Sequence, residues 1–196
     1  MIKLIVGLGN PGTDYEATRH NVGAWWLSAL CERNQIQLKK EKKFHGNIGL
    51  GQIQGHAVRC LLPTTFMNLS GNSVQSAAKY FNVKPEEILI AHDELDIKPG
   101  TMRLKQGGGH GGHNGLRDII PKLHSPNFYR LRIGIGHPGD KNKVANYVLN
   151  RPNAGDHKVI WDVIEESLNQ FTLVLEGKTQ IYMNNLHSFE STLNNH

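Results

Sequence analysis

Cysteine is scarce in this sequence: Cys31 and Cys60 are the only two in 196 residues. They are too few for a disulfide scaffold and, 29 positions apart, lack the close spacing of zinc ligands. Neither is flanked like a nucleophile, and both are expected as small core residues. Long apolar runs are missing too. Nothing approaches the roughly 18 consecutive apolar residues needed to span a bilayer, which excludes a helical membrane protein. The opening Met1–Val6 stretch is too short for a secretory signal, so the expected location is cytoplasmic. There is no internal repeat and no low-complexity linker. With 38% hydrophobic and 20% charged residues, the composition excludes a disordered chain. Two hydrolase signatures are also absent, the G-x-S-x-G nucleophile elbow and the H-E-x-x-H zinc helix.

What remains has the length of one domain, taken as residues 1–196, able to bury a core without disulfides. Residues 2–8 read as a short buried strand, and Val22, Trp25, Trp26, Ala29 and Leu30 give helical spacing over 22–33. Two strand-like runs at 47–54 and 56–62, broken by Gly55, predict a hairpin. Ser70 or Asn72 then caps a helix whose apolar face is Val74, Ala77, Ala78 and Phe81. Ile88-Leu89-Ile90-Ala91 reads as a central strand that turns abruptly polar at His92-Asp93-Glu94. A short strand at 101–105, a helix at 115–123, a strand at 129–135 and an amphipathic region at 156–175 follow. Between them, Gly107 to Gly115 holds six glycines in nine residues, too many for a stable regular element. It is a candidate gate. Strands alternating with helices predict an α/β fold: one three-layer domain with a twisted mixed sheet flanked by helices.

The net charge is +5, yet the segment from Lys98 to Lys143 alone carries nine basic residues against two acids, or +7. Such a run is either a solvated face or a surface for a polyanion, whose phosphates clustered lysine and arginine neutralise. Gly7-Leu8-Gly9-Asn10-Pro11-Gly12 formally matches G-x-G-x-x-G after a strand. In a dinucleotide site the helix starts inside that loop, whereas here Pro11 and the residues from Thr13 to His20 intervene. The loop is better read as a tight turn displaying Asn10 at a strand's carboxyl end.

His20, at a helix start, is either a plain surface residue or a general base, because imidazole titrates near neutrality. A base needs an orienting carboxylate, and Asp93 stands where one is expected. Ser70 and Ser73 read as helix caps, so in a hydrolysis water must be the nucleophile. His92, His110 and His113 with Asp93 could be assembled around a metal. Two of those histidines lie in the glycine loop and form no rigid ligand pair, so no metal is expected. Three loop amides remain: Asn10, Asn68 and Asn114. Asparagines in loops usually cap turns, but a carboxamide can also bind a peptide backbone or an oxyanion.

Taken together, Asn10-Pro11-Gly12, Thr18-Arg19-His20-Asn21, Pro63 through Gly71, His92 through Asp96, Gly107 through Gly115 and Arg130 through Pro138 resemble the bacterial-type peptidyl-tRNA hydrolases. The similarity runs in register from about residue 2 to 187, and the tail beyond carries no signal. The resemblance implies a monomeric enzyme, without metal or cofactor, that hydrolyses the ester joining peptide to tRNA and so recycles both after ribosome drop-off. It implies no membrane or DNA partner. It makes His20 the base, Asp93 its support, and Asn10 the group separating N-blocked from free aminoacyl substrates. Tyr15, Phe66, Met67, Asn68, His113 and Asn114 are then expected to line the substrate site. Lys105 and Arg132 would meet the tRNA phosphate end, beside Arg103, which stands where lysine is more usual. An RNA-binding protein of the same fold without turnover is the alternative. The joint presence of His20, Asp93 and the three asparagines favours the enzyme.

Overall fold

Alternation along the first strand decides the layering. In β1 (Leu4–Gly7), Leu4 and Val6 join one buried cluster while Ile5 joins the other, on the opposite face of the sheet. The computed structural model describes residues 1–189; the end of the span taken as one domain, 190–196, lies outside the described residues. The elements that follow are α1 (Val22–Arg33), β2 (Lys39–Glu41), β3 (Gly46–Ile53), β4 (His56–Pro63), α2 (Ser70–Tyr80), β5 (Ile88–Glu94), β6 (Met102–Gln106), α3 (Asn114–Leu123), β7 (Tyr129–Gly134), α4 (Val144–Val148), α5 (Ala154–Asn169), α6 (Thr172–Leu175) and α7 (Thr179–Ser188). The strands form one mixed sheet in the order β2-β3-β4-β1-β5-β7-β6. β1, β4, β5 and β7 pair in parallel, while β2–β3, β3–β4 and β6–β7 are antiparallel. Trp26, Leu30, Ile160, Val163 and Tyr182 place α1, α5 and α7 on one face; Val74, Ala77, Leu116 and Ile119 place α2 and α3 on the other. This is the three-layer α/β arrangement expected from the pattern of elements. Among the described residues no helix is long and apolar enough to cross a membrane.

Chain order reverses at β1, whose neighbours β4 and β5 lie on opposite sides and whose flanking helices pack on opposite faces. Open α/β sheets form a crevice at the carboxyl ends of strands at such a point. Two glycines set how tightly it closes. A Cβ on Gly7 would lie 2.5 Å from the Gly23 carbonyl oxygen, and one on Gly23 would lie 2.3 Å from that of Ala91. The first turn of α1 therefore rests directly on the backbones of β1 and β5. That contact brings His20, three residues before Gly23, against Asp93, two residues after Ala91.

Several local readings need correction. Neither Ser70 nor Asn72 caps α2. A 3₁₀ turn at Met67–Leu69 runs into the helix, Ser70 is its first residue, and the Ser70 hydroxyl donates to the Met67 carbonyl at 2.7 Å. Ser73 is not a cap either, but a buried residue inside α2. The amphipathic stretch at 156–175 is broken after Asn169 into α5 and α6, and α7 was not foreseen. Only Tyr182 and Leu186 are fully buried in α7, too few to print a helical period on the sequence.

Replacing Gly23 by Ala should destabilise the protein by about 1–3 kcal/mol, the usual cost of overpacking. Urea unfolding of the variant checks this: the midpoint should fall, and an unchanged midpoint would mean that α1 does not rest on β5 as described.

Candidate active site

The centre of the site is a buried carboxylate held by two rings. Asp93, 3% exposed near the end of β5, lies 2.9 and 3.0 Å from Nδ1 of His20 through its two oxygens, and 2.8 Å from Nε2 of His113. His20 comes from a 3₁₀ turn, Arg19–Asn21, that leads into α1. His113 is the residue before α3, and its Nδ1 accepts hydrogen bonds from the amides of Gly115 and Leu116 at 3.1 and 3.3 Å. Because Nδ1 is an acceptor there, the His113 proton sits on Nε2 and is donated to Asp93. The glycine loop thus ends in a side-chain cap that also props the carboxylate. With Nδ1 of His20 turned to Asp93, its Nε2 has no hydrogen-bond partner among the described residues.

The electrostatics follow from this packing. Burial alone would lower the His20 pKa, but the charge and hydrogen bond of Asp93 outweigh it and raise the value above the ordinary 6.5. Burial would raise that of Asp93, yet His20 and His113 hold its carboxyl far below the usual range. Next to it, His92 is pushed down to about 3, chiefly by burial and then by His113. Its Nδ1 lies 2.7 Å from the Asp93 carbonyl, to which it donates. His92 is therefore a neutral structural residue.

A cavity of about 260 Å³ opens over the pair. It is lined by His20, by Asp93, Glu94 and Leu95, by Gly111 to Asn114, and by Lys141 with Val144, Ala145 and Val148 of α4. Asn114 therefore shares the cavity with the imidazole. Its Oδ1 accepts from Arg117 at 3.0 Å. Asn10 and Asn68 do not line this cavity. Asn10 is fixed beside it by Asn21, the residue after His20, through two bonds of 2.9 Å to the Asn10 backbone. The Asn10 side-chain oxygen accepts the Met67 amide at 2.6 Å, which places the exposed Asn68 next to that contact. Tyr15 meets Phe66 edge-on with ring centroids 6.2 Å apart, and Phe66 is 56% exposed. Asn21 is the site residue that the sequence reading undervalued. Its adjacency to His20 was the only signal.

His20, Asp93 and His113 bring ligand-type atoms within 4.8 Å of one another. They fit a metal poorly, because the Nε2 proton of His113 is fixed by the cap on Nδ1 and both histidine contacts with Asp93 are hydrogen bonds. The other metal grouping, with His92 and His110, is not assembled either: Nδ1 of His110 accepts from the Gly112 amide at 2.9 Å.

His113 also lines a second cavity, about 310 Å³, with Lys105, His110, Arg130 and Arg132 together with Glu94 and Asp96. Pairing of β6 with β7 sets Arg103 opposite Arg132 and Lys105 opposite Arg130. Their charges are unequally available. Arg132 is paired to Glu94, with Nε and Nη2 at 2.9 and 2.6 Å from one oxygen. Arg130, counted in the sequence reading among the cations for a polyanion, is buried and donates to the carbonyls of Gly108, Gly109 and Pro126. It anchors the glycine loop. Arg103 and Lys105 are exposed, and no ion pair engages them among the described residues.

An α/β crevice with a carboxylate-oriented histidine beside a cavity lined largely by basic side chains is an arrangement that can support hydrolysis of an anionic ester. A sequence model of the family described as peptidyl-tRNA hydrolase matches residues 4–194, and the chain belongs to that family. It is 53% identical to the peptidyl-tRNA hydrolase of Proteus mirabilis over 191 residues, 97% of this chain and 98% of that protein. It is also 53% identical to that of Acinetobacter baylyi over 189 residues, 96% and 97% of the two chains. The fold superposes on a crystal structure of peptidyl-tRNA hydrolase from Acinetobacter baumannii with a TM-score of 0.94 at 51% identity, covering 96% of each chain. It superposes on a crystallised complex of peptidyl-tRNA hydrolase with N-propanol with a TM-score of 0.95 at 50% identity, covering 97% of each.

The His20 imidazole should titrate above 6.5. In Asp93→Asn it should fall to or below that value, since burial then acts without the opposing charge. In linkage terms, the raised His20 pKa contributes stability in full below 6.5, lost as pH rises through the folded value. The lowered Asp93 pKa contributes in full above 3.8, lost as pH falls. Both describe one ion pair and are counted once. Imidazole NMR titration of wild type and variant reads the shift; identical midpoints would contradict the pairing.

Proposed function

We propose that the chain hydrolyses the ester bond between peptide and tRNA in peptidyl-tRNA, with His20 as general base. The observation that carries this reading is the 2.9 Å contact of His20 Nδ1 with the buried carboxylate of Asp93, which leaves Nε2 free at the cavity. Asp93 holds the ring and favours the imidazolium that forms as Nε2 takes a proton from water. The resulting hydroxide equivalent attacks the ester carbonyl carbon. The tetrahedral adduct then collapses by breaking the bond to the ribose oxygen, which receives the proton from Nε2, and the peptide leaves as its carboxylic acid. An alkoxide is a far better leaving group than an amine, so no covalent enzyme intermediate is required. The amide groups of Asn68 and Asn114 hydrogen-bond the peptide and the developing oxyanion, and Asn10 acts on the N-blocked end. Tyr15, Phe66 and Met67 pack against the substrate, with His113 fixing the carboxylate. Lys105, Arg103 and Arg132 meet the phosphates, the first two as free charges and Arg132 only in part because of Glu94. The catalytic cluster is complete within one chain, which supports a monomer, and a substrate arising from translation supports the cytoplasm.

The direct test incubates the purified chain with N-acetyl-aminoacyl-tRNA and with unblocked aminoacyl-tRNA, with and without EDTA. The blocked ester should be cleaved, the unblocked one spared, and chelation should change nothing. Binding without turnover would instead favour the RNA-binding alternative. His20→Ala should lower kcat by about 10²–10⁴ while tRNA affinity holds, and near-wild-type turnover would refute its role. Lys105→Ala with Arg103→Ala should raise KM and flatten its salt dependence. A loss confined to turnover at saturating substrate would contradict a phosphate clamp.

A further inference from the structure

The residue before His20 is a buried cation without a carboxylate. Arg19 is 8% exposed, and no ion pair engages it among the described residues. Burying a guanidinium is costly unless polar groups replace its water. For Nη1 they come from the end of α4 and the residues just after it, while the buried Nε has no hydrogen-bond partner among the described residues. Nη1 donates to the carbonyls of Tyr147 and Asn150 at 3.0 and 3.3 Å, and the Arg19 backbone amide donates to the same Asn150 carbonyl at 3.0 Å. The guanidinium carbon lies 3.9 Å from the Tyr147 ring centroid, a cation–π contact in a desolvated place. The position at the last carbonyls of a helix also suits a positive charge.

The helix on the other end of this contact is short and only partly buried, with Val144 and Tyr147 packed against the main core cluster but not fully covered by it. α4 is five residues long, far below the roughly 12–15 at which isolated helices become marginally stable. Val148 is its only fully buried side chain, and the Tyr147 hydroxyl adds one bond, 2.6 Å to the Ile135 carbonyl. Yet α4 lines the same cavity as His20, through Val144, Ala145 and Val148.

We infer that Arg19 is a positioning residue that locks the α4 wall to the turn carrying His20, fixing the width of the cavity that grips the acyl part of the substrate. The base and the helix that lines its cavity are thereby tied into one unit through adjacent residues, Arg19 and His20. The effect on substrate rests on the hydrolase reading above; the effect on α4 itself does not.

The test combines hydrogen exchange with steady-state kinetics on Arg19→Met, Arg19→Lys and Tyr147→Leu. In Arg19→Met, amides of residues 144–150 should exchange roughly tenfold faster, with those of β5 unchanged, and KM for the blocked ester should rise roughly tenfold while kcat changes less. Lysine keeps the charge and one donor but not the planar fork, so Arg19→Lys should fall between. Tyr147→Leu removes the ring against the Arg19 guanidinium and the hydroxyl bond to Ile135 while keeping both carbonyls that Arg19 meets, so it should also loosen α4. Should Arg19→Met fail to fold, the other two variants carry the same comparison. Unchanged exchange in 144–150 overturns the lock. Faster exchange with unchanged KM overturns its role in gripping substrate. Faster exchange in a chain whose wild type cleaves no ester leaves the lock standing and removes the hydrolase reading instead.

Discussion

Everything at this site depends on keeping one carboxylate ionised inside the protein. An unpaired buried Asp would be expelled or protonated. Asp93 is neither, because two imidazoles donate to it from elements that approach from different directions, the turn before α1 and the start of α3. Each partner is fixed by its own backbone setting. His113 cannot rotate away without uncapping α3, and the turn that carries His20 is set by the rest of α1 on β5. The same arrangement orients the ring of His20 and leaves its second nitrogen facing the cavity. Orientation and basicity therefore have a single origin.

The fold delivers these groups through backbone proximity more than through side-chain packing. Gly7 and Gly23 allow α1 to touch β1 and β5, and the reversal of chain order at β1 leaves a crevice where those strands end. Asn21 extends the same rigidity sideways by clasping the Asn10 backbone, and the Asn10 side chain in turn holds the Met67 amide. A short chain of hydrogen bonds thus links the turn carrying His20 to the loop that carries Asn68. The cationic side is organised differently. Arg130 is consumed in holding the glycine loop and Arg132 is half committed to Glu94, so on the paired strands β6 and β7 the free charge lies on Arg103 and Lys105.

Much of this could be read from the residues alone. A buried strand that turns polar at Asp93, and a histidine just before a helix, are local signals, and the closeness of His20 to Asp93 follows once α1 packs on the sheet. The helix at 22–33 was legible because its apolar spacing is regular. What could not be read depends on three-dimensional partners. Six glycines mark the loop but not what holds it: the guanidinium of Arg130 and the ring of His113 tether it, and neither contact has a sequence period. Ser70 resembled a cap because the 3₁₀ turn that enters α2 leaves no hydrophobic mark. The burial of Arg19 was equally hidden, since its partners lie more than a hundred residues away.

The pH dependence of kcat/KM for a blocked aminoacyl-tRNA ester, measured beside the NMR titration of the His20 ring, tests the central claim most directly. If His20 is the base, activity rises with pH along a limb whose midpoint coincides with the ring's own pKa, and in Asp93→Asn both move down together. A limb that stays in place while the ring's titration moves, or one with a midpoint unrelated to it, would show that some other group activates the water.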